Sequence, residues 1–290
     1  MKKLIIYLIT IFSFISCNNR ENIVNKQTLL GNDYRLFQKT PAWELAKAVE
    51  DEDTIKIKEI LKNKKSDIDF KEPKFGSTLL MLSIINSQYV STRTLLQMGA
   101  NPNVQDSYRK TSSVIFAASN DDPKYLKLIL EYKGNANAIE TAPFKEGDEV
   151  RESALLAAIS FLDPNSLKKV KLLVESGANV NYHNPGHTKL PLSKALIVEK
   201  LDVALYLLQN GADFNLSLYK TVDEKDVYIL EALRKCIIDL NSEQYKSKLE
   251  VIKFFKEKGL DYSKEPIPDY ILTKIKEKYP NDWKDYVKKY

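Results

Sequence analysis

The sequence predicts an all-α fold, a helical solenoid of about six repeats followed by C-terminal capping helices. Three observations support this prediction. A short motif recurs with a base period of 34 residues, an apolar residue followed by a small one keeps the same register, and paired apolar residues precede each motif. Periods of about 20 to 50 residues are typical of repeat proteins, whose units bury their apolar faces against one another. We expect the repeats over residues 39–263 and the cap over residues 264–290.

The amino terminus has the pattern of an export signal. Lys2 and Lys3 precede an uncharged, mostly apolar run over residues 4–16. At a rise of about 1.5 Å per residue, this run covers about 20 Å, which is short of the roughly 30 Å hydrocarbon core of a bilayer. We therefore expect a cleaved signal peptide over residues 1–16 rather than a permanent transmembrane helix.

Cleavage is expected before Cys17. Phe14 occupies a position where ordinary signal peptidase requires a small residue, and Phe14-Ile15-Ser16-Cys17 resembles a bacterial lipobox, although Leu usually stands in place of Phe14. This resemblance implies that Cys17 is lipidated and anchors the protein to a membrane of the cell envelope. The alternative is that Cys17 is an incidental residue behind an unusual cleavage site. Residues 17–38 are polar without a sustained apolar period, which predicts a flexible, lipid-anchored tether.

Each predicted repeat ends in a recurring five-residue motif. Its last positions are residues 69, 103, 137, 181, 215 and 263, at intervals of 34, 34, 44, 34 and 48 residues. Glycine readily takes the left-handed conformation that ends a helix. The glycines assigned to this role are Gly99, Gly134, Gly177, Gly211 and Gly259. The long intervals predict an enlarged finger in repeat four, around residues 141–151, and an enlarged interior in repeat six, around residues 241–248.

Two helices are expected between successive motifs. In the first helix, an apolar residue stands three positions before a small one, so both share one face and the small residue lets a neighbouring helix approach closely. These pairs are Leu45 and Ala48, Leu80 and Ser83, Val114 and Ala117, Leu155 and Ala158, Leu192 and Ala195, and Ile229 and Ala232. The second helix contains adjacent apolar residues, such as Leu95-Leu96 and Leu207-Leu208.

This unit resembles the ankyrin repeat. Gly76-Ser77-Thr78-Leu79-Leu80 resembles its opening, Leu190-Pro191-Leu192-Ser193-Lys194-Ala195 resembles its first helix, and Gly211-Ala212-Asp213-Phe214-Asn215 resembles its closing motif. The chain departs from the family pattern because it lacks the usual histidine of the first helix and has few of the usual prolines. The resemblance implies a protein that recognises another protein.

Two further helices are predicted beyond Pro266-Ile267-Pro268. The first is expected over residues 269–279, with Ile271, Leu272 and Ile275 on one side. The second, over residues 281–290, contains Trp283 and Val287 and is expected to seal the last repeat.

Composition favours recognition over catalysis. A net charge of +5 over 290 residues is too small to indicate a nucleic-acid partner. Two Cys and two His leave little for a zinc site or a catalytic pair, and Pro185-Gly186 prevents His183 and His187 from sharing a helix. Cys236 is expected to pack as a small hydrophobe in the first helix of repeat six. We therefore predict no enzyme activity, cofactor, metal or small-molecule substrate.

The predicted partner-binding residues are aromatic or basic side chains of the fingers. Their positions in the repeat differ from unit to unit, so repeat packing does not require them. They are Phe75, Tyr108, Arg109, Lys110, Phe144 and Tyr219. Aromatic and Arg side chains often dominate the binding energy of an interface.

The predicted function is that of an exported, lipid-anchored protein that binds another protein through its fingers and inner helices. Its role would be that of an inhibitor or immunity protein, or of an envelope adaptor. One alternative is an envelope hydrolase or small-ligand protein with a site in the enlarged repeats four and six. Another is a purely structural envelope component.

Overall fold

The computed structural model describes residues 20–143, 151–182 and 190–290. The described residues form two compact units, one ending at Ser113 and one running from Val114 to Tyr290. The first unit contains α1 (Trp43–Glu50), α2 (Thr54–Asn63), α3 (Leu79–Ile85) and α4 (Tyr89–Gln97). The second unit contains α5 (Ser113–Ser119, whose first residue belongs to the first unit), α6 (Pro123–Glu131), α7 (Ala154–Ala157), α8 (Ser166–Glu175), α9 (Pro191–Ile197), α10 (Leu201–Gln209), α11 (Ile229–Lys235), α12 (Glu243–Glu257), α13 (Asp269–Lys278) and α14 (Trp283–Lys289).

The helices stack as repeating pairs within each unit. In the first unit, α1 packs on α3 and α2 packs on α4. In the second unit, α9 packs on α7 and α11, and α10 packs on α8 and α12. Every member of the six predicted apolar and small pairs is at most 4% exposed. The prediction of an all-α solenoid of about six helical repeats is therefore confirmed. No helix in the described parts of the chain has both the length and the hydropathy needed to cross a bilayer.

Left-handed residues end the second helices. Gly99, Gly177, Gly211 and Gly259 have φ angles between +83° and +98°. In the third repeat Lys133 takes this conformation with φ of +65°, so the assignment of this role to Gly134 is wrong. Glycine is required at position 134 for a different reason, because a Cβ atom there would lie 2.6 Å from Ile129 Cγ2.

Closing residues connect one repeat to the next. Asn137 Nδ2 donates to the Gly177 carbonyl at 2.8 Å, and Asn137 Oδ1 accepts from the Asn179 amide at 2.8 Å. Asn181 makes the same pair of bonds to the following repeat, with the Gly211 carbonyl and the Asp213 amide. Asp69 Oδ1 accepts from the Asn101 amide at 3.0 Å in the first unit. These bonds fix the register of the finger bases.

Residues 20–38, which we call the amino-terminal strap, do not form the flexible tether that the sequence predicts. Two short 3-10 helices, Lys26–Thr28 and Tyr34–Phe37, follow one another in the strap. Leu29, Leu36 and Phe37 are buried. The segment lacks an apolar period because its turns are 3-10 rather than α-helical, and this explains why the sequence pattern misses it.

The cap is built around tyrosines. Ile271 and Ile275 of α13 form a buried cluster with Tyr286 and Tyr290, while Trp283 and Val287 are only partly buried at its edge. The prediction that Trp283 and Val287 seal the last repeat therefore needs correction. The Arg234 guanidinium of α11 fastens the cap by donating to the carbonyls of Glu265, Tyr262 and Tyr290 at 2.9 to 3.0 Å.

Candidate protein-binding fingers

A buried carboxylate organises each finger of the first unit. Glu72 Oε1 accepts from the backbone amides of Phe75 at 2.7 Å and Ser77 at 3.1 Å. In the next finger, Asp106 Oδ1 accepts from four successive amides, those of residues 108 to 111, at 2.9 to 3.2 Å. A charged acceptor that satisfies several buried amides makes a loop rigid. The predicted binding residues therefore stand on preorganised loops.

The two fingers of the first unit are in contact. The Ser107 amide donates to the Phe75 carbonyl at 2.8 Å. Gly76 has φ of +72°, and a Cβ atom there would lie 2.1 Å from Ser107 Oγ. Glycine is thus required both by the backbone conformation and by the close approach of the next finger.

Phe75 and Tyr108 are brought together by this contact. Their ring centroids lie 6.3 Å apart with planes at 85°, which is an edge-to-face arrangement. Lys74 Nζ lies 4.5 Å from the centre of the Phe75 ring. Tyr108 is 63% exposed, whereas Phe75 is half-buried. We call Phe75 and Tyr108 the finger pair.

Arg109 and Lys110 follow the finger pair in the same loop, and both are half-buried. Lys110 has φ of +60°, at the position that Gly76 occupies one period earlier. The turn depends on this backbone conformation, so the expectation that packing does not involve Lys110 is wrong for its backbone. Its side chain stays a predicted binding residue.

Tyr219 belongs to the second unit. It lies in strand β1 (Tyr219–Lys220), which pairs antiparallel with β2 (Asp226–Val227) in the finger of repeat six. Lys235 Nζ lies 5.3 Å from the centre of the Tyr219 ring. Partial burial raises the pKa of the Tyr219 hydroxyl, so it stays protonated and can donate a hydrogen bond at neutral pH.

Several predictions lie outside the described residues. These are lipidation of Cys17, partner binding by Phe144, and the pair of His183 and His187. Within the described ranges, no group of three or more His, Cys, Asp or Glu side chains could hold a metal ion.

Cys236 packs in the core, as predicted. Its thiol donates to the carbonyls of Leu196 and Ala232, both at 3.4 Å. Burial raises the pKa of the thiol to about 12. The residue caps the end of α11 rather than lying within that helix.

The buried finger acids were missed by the sequence analysis. Glu72, Asp106 and Glu140 stand three positions after a closing residue, at successive intervals of 34 residues. All three are buried, and Glu140 Oε2 accepts from the Glu152 amide at 3.0 Å. An acid that recurs in the repeat register was a detectable signal for this role.

Comparisons with known proteins agree with the observed architecture. The family model for ankyrin repeats, in three copies, matches residues 114–217. The nuclear factor NF-kappa-B p105 subunit of Gallus gallus is 29% identical over 143 residues, which are 49% of this chain and 14% of that protein. The chain thus spans about one seventh of the length of this relative.

Two solved structures show the same fold. The ankyrin repeat domain of Bcl-3, a member of the IkappaB protein family, matches with a TM-score of 0.52 and 19% identity, over 75% of this chain and 86% of that one. An ankyrin repeat domain from Acinetobacter baumannii AYE matches with a TM-score of 0.52 and 23% identity, over 71% of this chain and 93% of that one. The stacked helix pairs, the closing motifs and the match over residues 114–217 together identify the repeats of this chain as ankyrin repeats.

Proposed function

We propose that this chain is an exported, lipid-anchored protein that binds another protein through its fingers and inner helices. The ankyrin repeats support protein binding, because this fold is typical of protein-interaction scaffolds. Each repeat contacts only its neighbours, so the residues between the packing landmarks are free to vary with the partner.

The finger pair carries the binding part of the proposal. Tyr108 exposes most of its ring although its loop is held by four hydrogen bonds to Asp106. A rigid, exposed aromatic side chain loses little conformational entropy when a partner covers it. Arg109 stands beside it, and Tyr and Arg are the residue types most enriched at energetically dominant contacts.

The amino-terminal sequence supports the anchoring part. Lys2 and Lys3, the apolar run over residues 4–16 and the lipobox-like Phe14-Ile15-Ser16-Cys17 are the signals of an exported lipoprotein. More than one acyl chain on Cys17 would give stable membrane attachment, which a single chain does not provide. Mass spectrometry of the mature amino terminus tests this proposal. An acylated Cys17 as the first residue supports it, and an unmodified or differently cleaved chain contradicts it.

Two roles fit an anchored recognition protein. An inhibitor or immunity protein neutralises a toxin that reaches the envelope, whereas an adaptor assembles envelope proteins. An exported, toxin-like product from a neighbouring reading frame that binds this chain would support the first role. A stable complex with resident envelope proteins would support the second.

A photoreactive amino acid at position 108 tests the finger surface directly. In membranes, irradiation is expected to crosslink this position to one protein species. The same amino acid at Tyr270, an exposed tyrosine of α13, serves as the matched control. Crosslinks from position 270 without any from position 108 would move the binding site away from the fingers.

A further inference from the structure

The folded body begins very close to the proposed lipid. The amino-terminal strap starts at Arg20, three residues after Cys17. A fully extended chain spans at most about 3.5 Å per residue, so Arg20 lies within about 10 Å of a lipidated Cys17. A flexible tether over residues 17–38 would have let the body move much farther from the membrane.

Buried hydrogen bonds fasten the start of the strap. The Gln38 side chain is buried and its Nε2 atom donates to the carbonyls of Arg20 at 2.7 Å and Asn22 at 2.9 Å. The Arg20 guanidinium forms ion pairs with Glu50 at 3.0 Å and Asp51 at 2.8 Å. The residues next to the anchor are therefore part of the first repeat.

The strap nevertheless exposes two large aliphatic side chains. Ile23 is 75% exposed and Leu30 is 74% exposed, although Leu29 beside it is buried. Lys74 Nζ donates to the carbonyls of Gln27 and Leu29, both at 2.8 Å, and so holds the backbone between the two exposed residues. The fold thus presents Ile23 and Leu30 to solvent on fixed backbone.

We propose that the amino-terminal strap docks on the bilayer surface, with Ile23 and Leu30 in contact with lipid. This proposal rests on the proposed anchoring at Cys17. The apolar run outside the described structure ends at residue 16, so the chain that leaves the membrane reaches the strap almost at once. The short connection gives the strap a high effective concentration at the bilayer, where even two aliphatic contacts add to the lipid anchor. The first repeat is held on the membrane, and a partner bound by this unit must itself be membrane-associated.

Spin labels on the lipidated full chain test this docking. Single labels are placed through Ile23→Cys and Leu30→Cys, and through Val90→Cys on α4 as the control, since Val90 is also exposed. Cys17 is blocked by its lipid, and buried Cys236 is protected from labelling. The collision rate of each label with a water-soluble nickel chelate is compared in detergent and in phosphatidylethanolamine and phosphatidylglycerol vesicles.

We expect the collision rates at residues 23 and 30 to fall several-fold in vesicles, while the rate at residue 90 stays unchanged. Labels at 23 and 30 that stay as accessible as the label at 90 would overturn the docking. Mass spectrometry of the same sample separates the two proposals. An acylated Cys17 with exposed labels rejects docking alone, whereas an unmodified chain that is free of vesicles rejects both anchoring and docking.

Discussion

The ammonium group of Lys248 lies 3.7 Å from the centre of the Tyr290 ring in the cap of the second unit. Lys248 is fully buried, and its Nζ atom donates to the Cys236 carbonyl at 3.1 Å. Burial lowers the pKa of Lys248 from its usual 10.5 to about 7. The Cys236 thiol and the Glu199 carboxylate oppose this decrease, the Arg234 guanidinium reinforces it, and the Tyr262 and Tyr290 rings also face the ammonium.

This depressed pKa predicts that the cap gains stability as the pH rises above 7. Between pH 7 and 10.5 the unfolded lysine binds a proton that the folded lysine has lost, so the free energy of unfolding increases with pH. The slope for one group is at most about 1.4 kcal/mol per pH unit. Below pH 7 this group contributes no further pH dependence.

Trp283 fluorescence during denaturation at pH 7.0 to 8.5 measures this effect. This window lies below the range in which the Cys236 thiol and the buried tyrosines titrate. Lys248→Met keeps the length of the side chain and is expected to abolish the increase. An equal increase in both proteins would contradict the role assigned to Lys248.

Removing the Asp106 carboxylate is expected to destabilise the first unit. Asp106→Ala leaves four backbone amides without their acceptor, which costs about 2 kcal/mol or more in unfolding free energy. Glu59→Ala, which removes an exposed carboxylate of α2, should change it by less than about 0.5 kcal/mol. Equal midpoints in urea denaturation would show that Asp106 does not organise the finger.

A substitution at Gly211 tests the left-handed closing position. Gly211 has φ of +88°, and a Cβ atom there meets nothing within 4 Å, so Gly211→Ala isolates the backbone strain. The expected loss is about 1 to 2 kcal/mol of unfolding free energy. Gly31→Ala is the control, because its φ angle lies outside the left-handed region and its Cβ atom would make an ordinary contact with Phe75 at 3.9 Å. Similar thermal midpoints for the two variants would reject the assigned register.

Enlarging Ala195 tests the close packing of the first helices. The residue is fully buried on α9, and a leucine there adds volume that the neighbouring helices cannot accommodate without shifting. We expect a loss of about 1 to 3 kcal/mol of unfolding free energy. Ala157→Leu at a half-buried position on α7 provides the comparison in chemical denaturation. A variant at position 195 that is no less stable than this control would contradict the close contact.

The repeat register could be predicted from the sequence because it depends on residues that are buried for the same reason in every unit. Ala48, Ala117 and Ala195 all lie where one helix meets the next. The strap could not be predicted, since Leu29, Leu36 and Phe37 pack from 3-10 turns that leave no helical period. The left-handed Lys133 was hidden by the glycine that follows it.

The candidate site was predicted only in part. Variation at one repeat position pointed to Phe75 and Tyr108, but their edge-to-face contact depends on the close approach of the two fingers at Gly76 and Ser107. The support from Asp106 was also missed, because an isolated acid in a loop has many equally plausible roles. In the cap, Tyr286 and Tyr290 are amphipathic residues whose burial depends on distant partners, the Ile238 carbonyl and Arg234.

The affinity of the lipidated protein for its crosslinked partner tests the central claim most directly. Tyr108→Ala combined with Arg109→Ala removes two side chains of the proposed surface and leaves Asp106 and the left-handed Lys110 in place. The control combines Tyr270→Ala with Arg93→Ala, which removes the same residue types from α13 and α4. We predict that the finger variant binds about thirtyfold more weakly, the loss expected from truncating an interface anchor, while its melting curve and the affinity of the control stay unchanged. Undiminished affinity in the finger variant, or a loss confined to the control, would contradict partner recognition by the fingers.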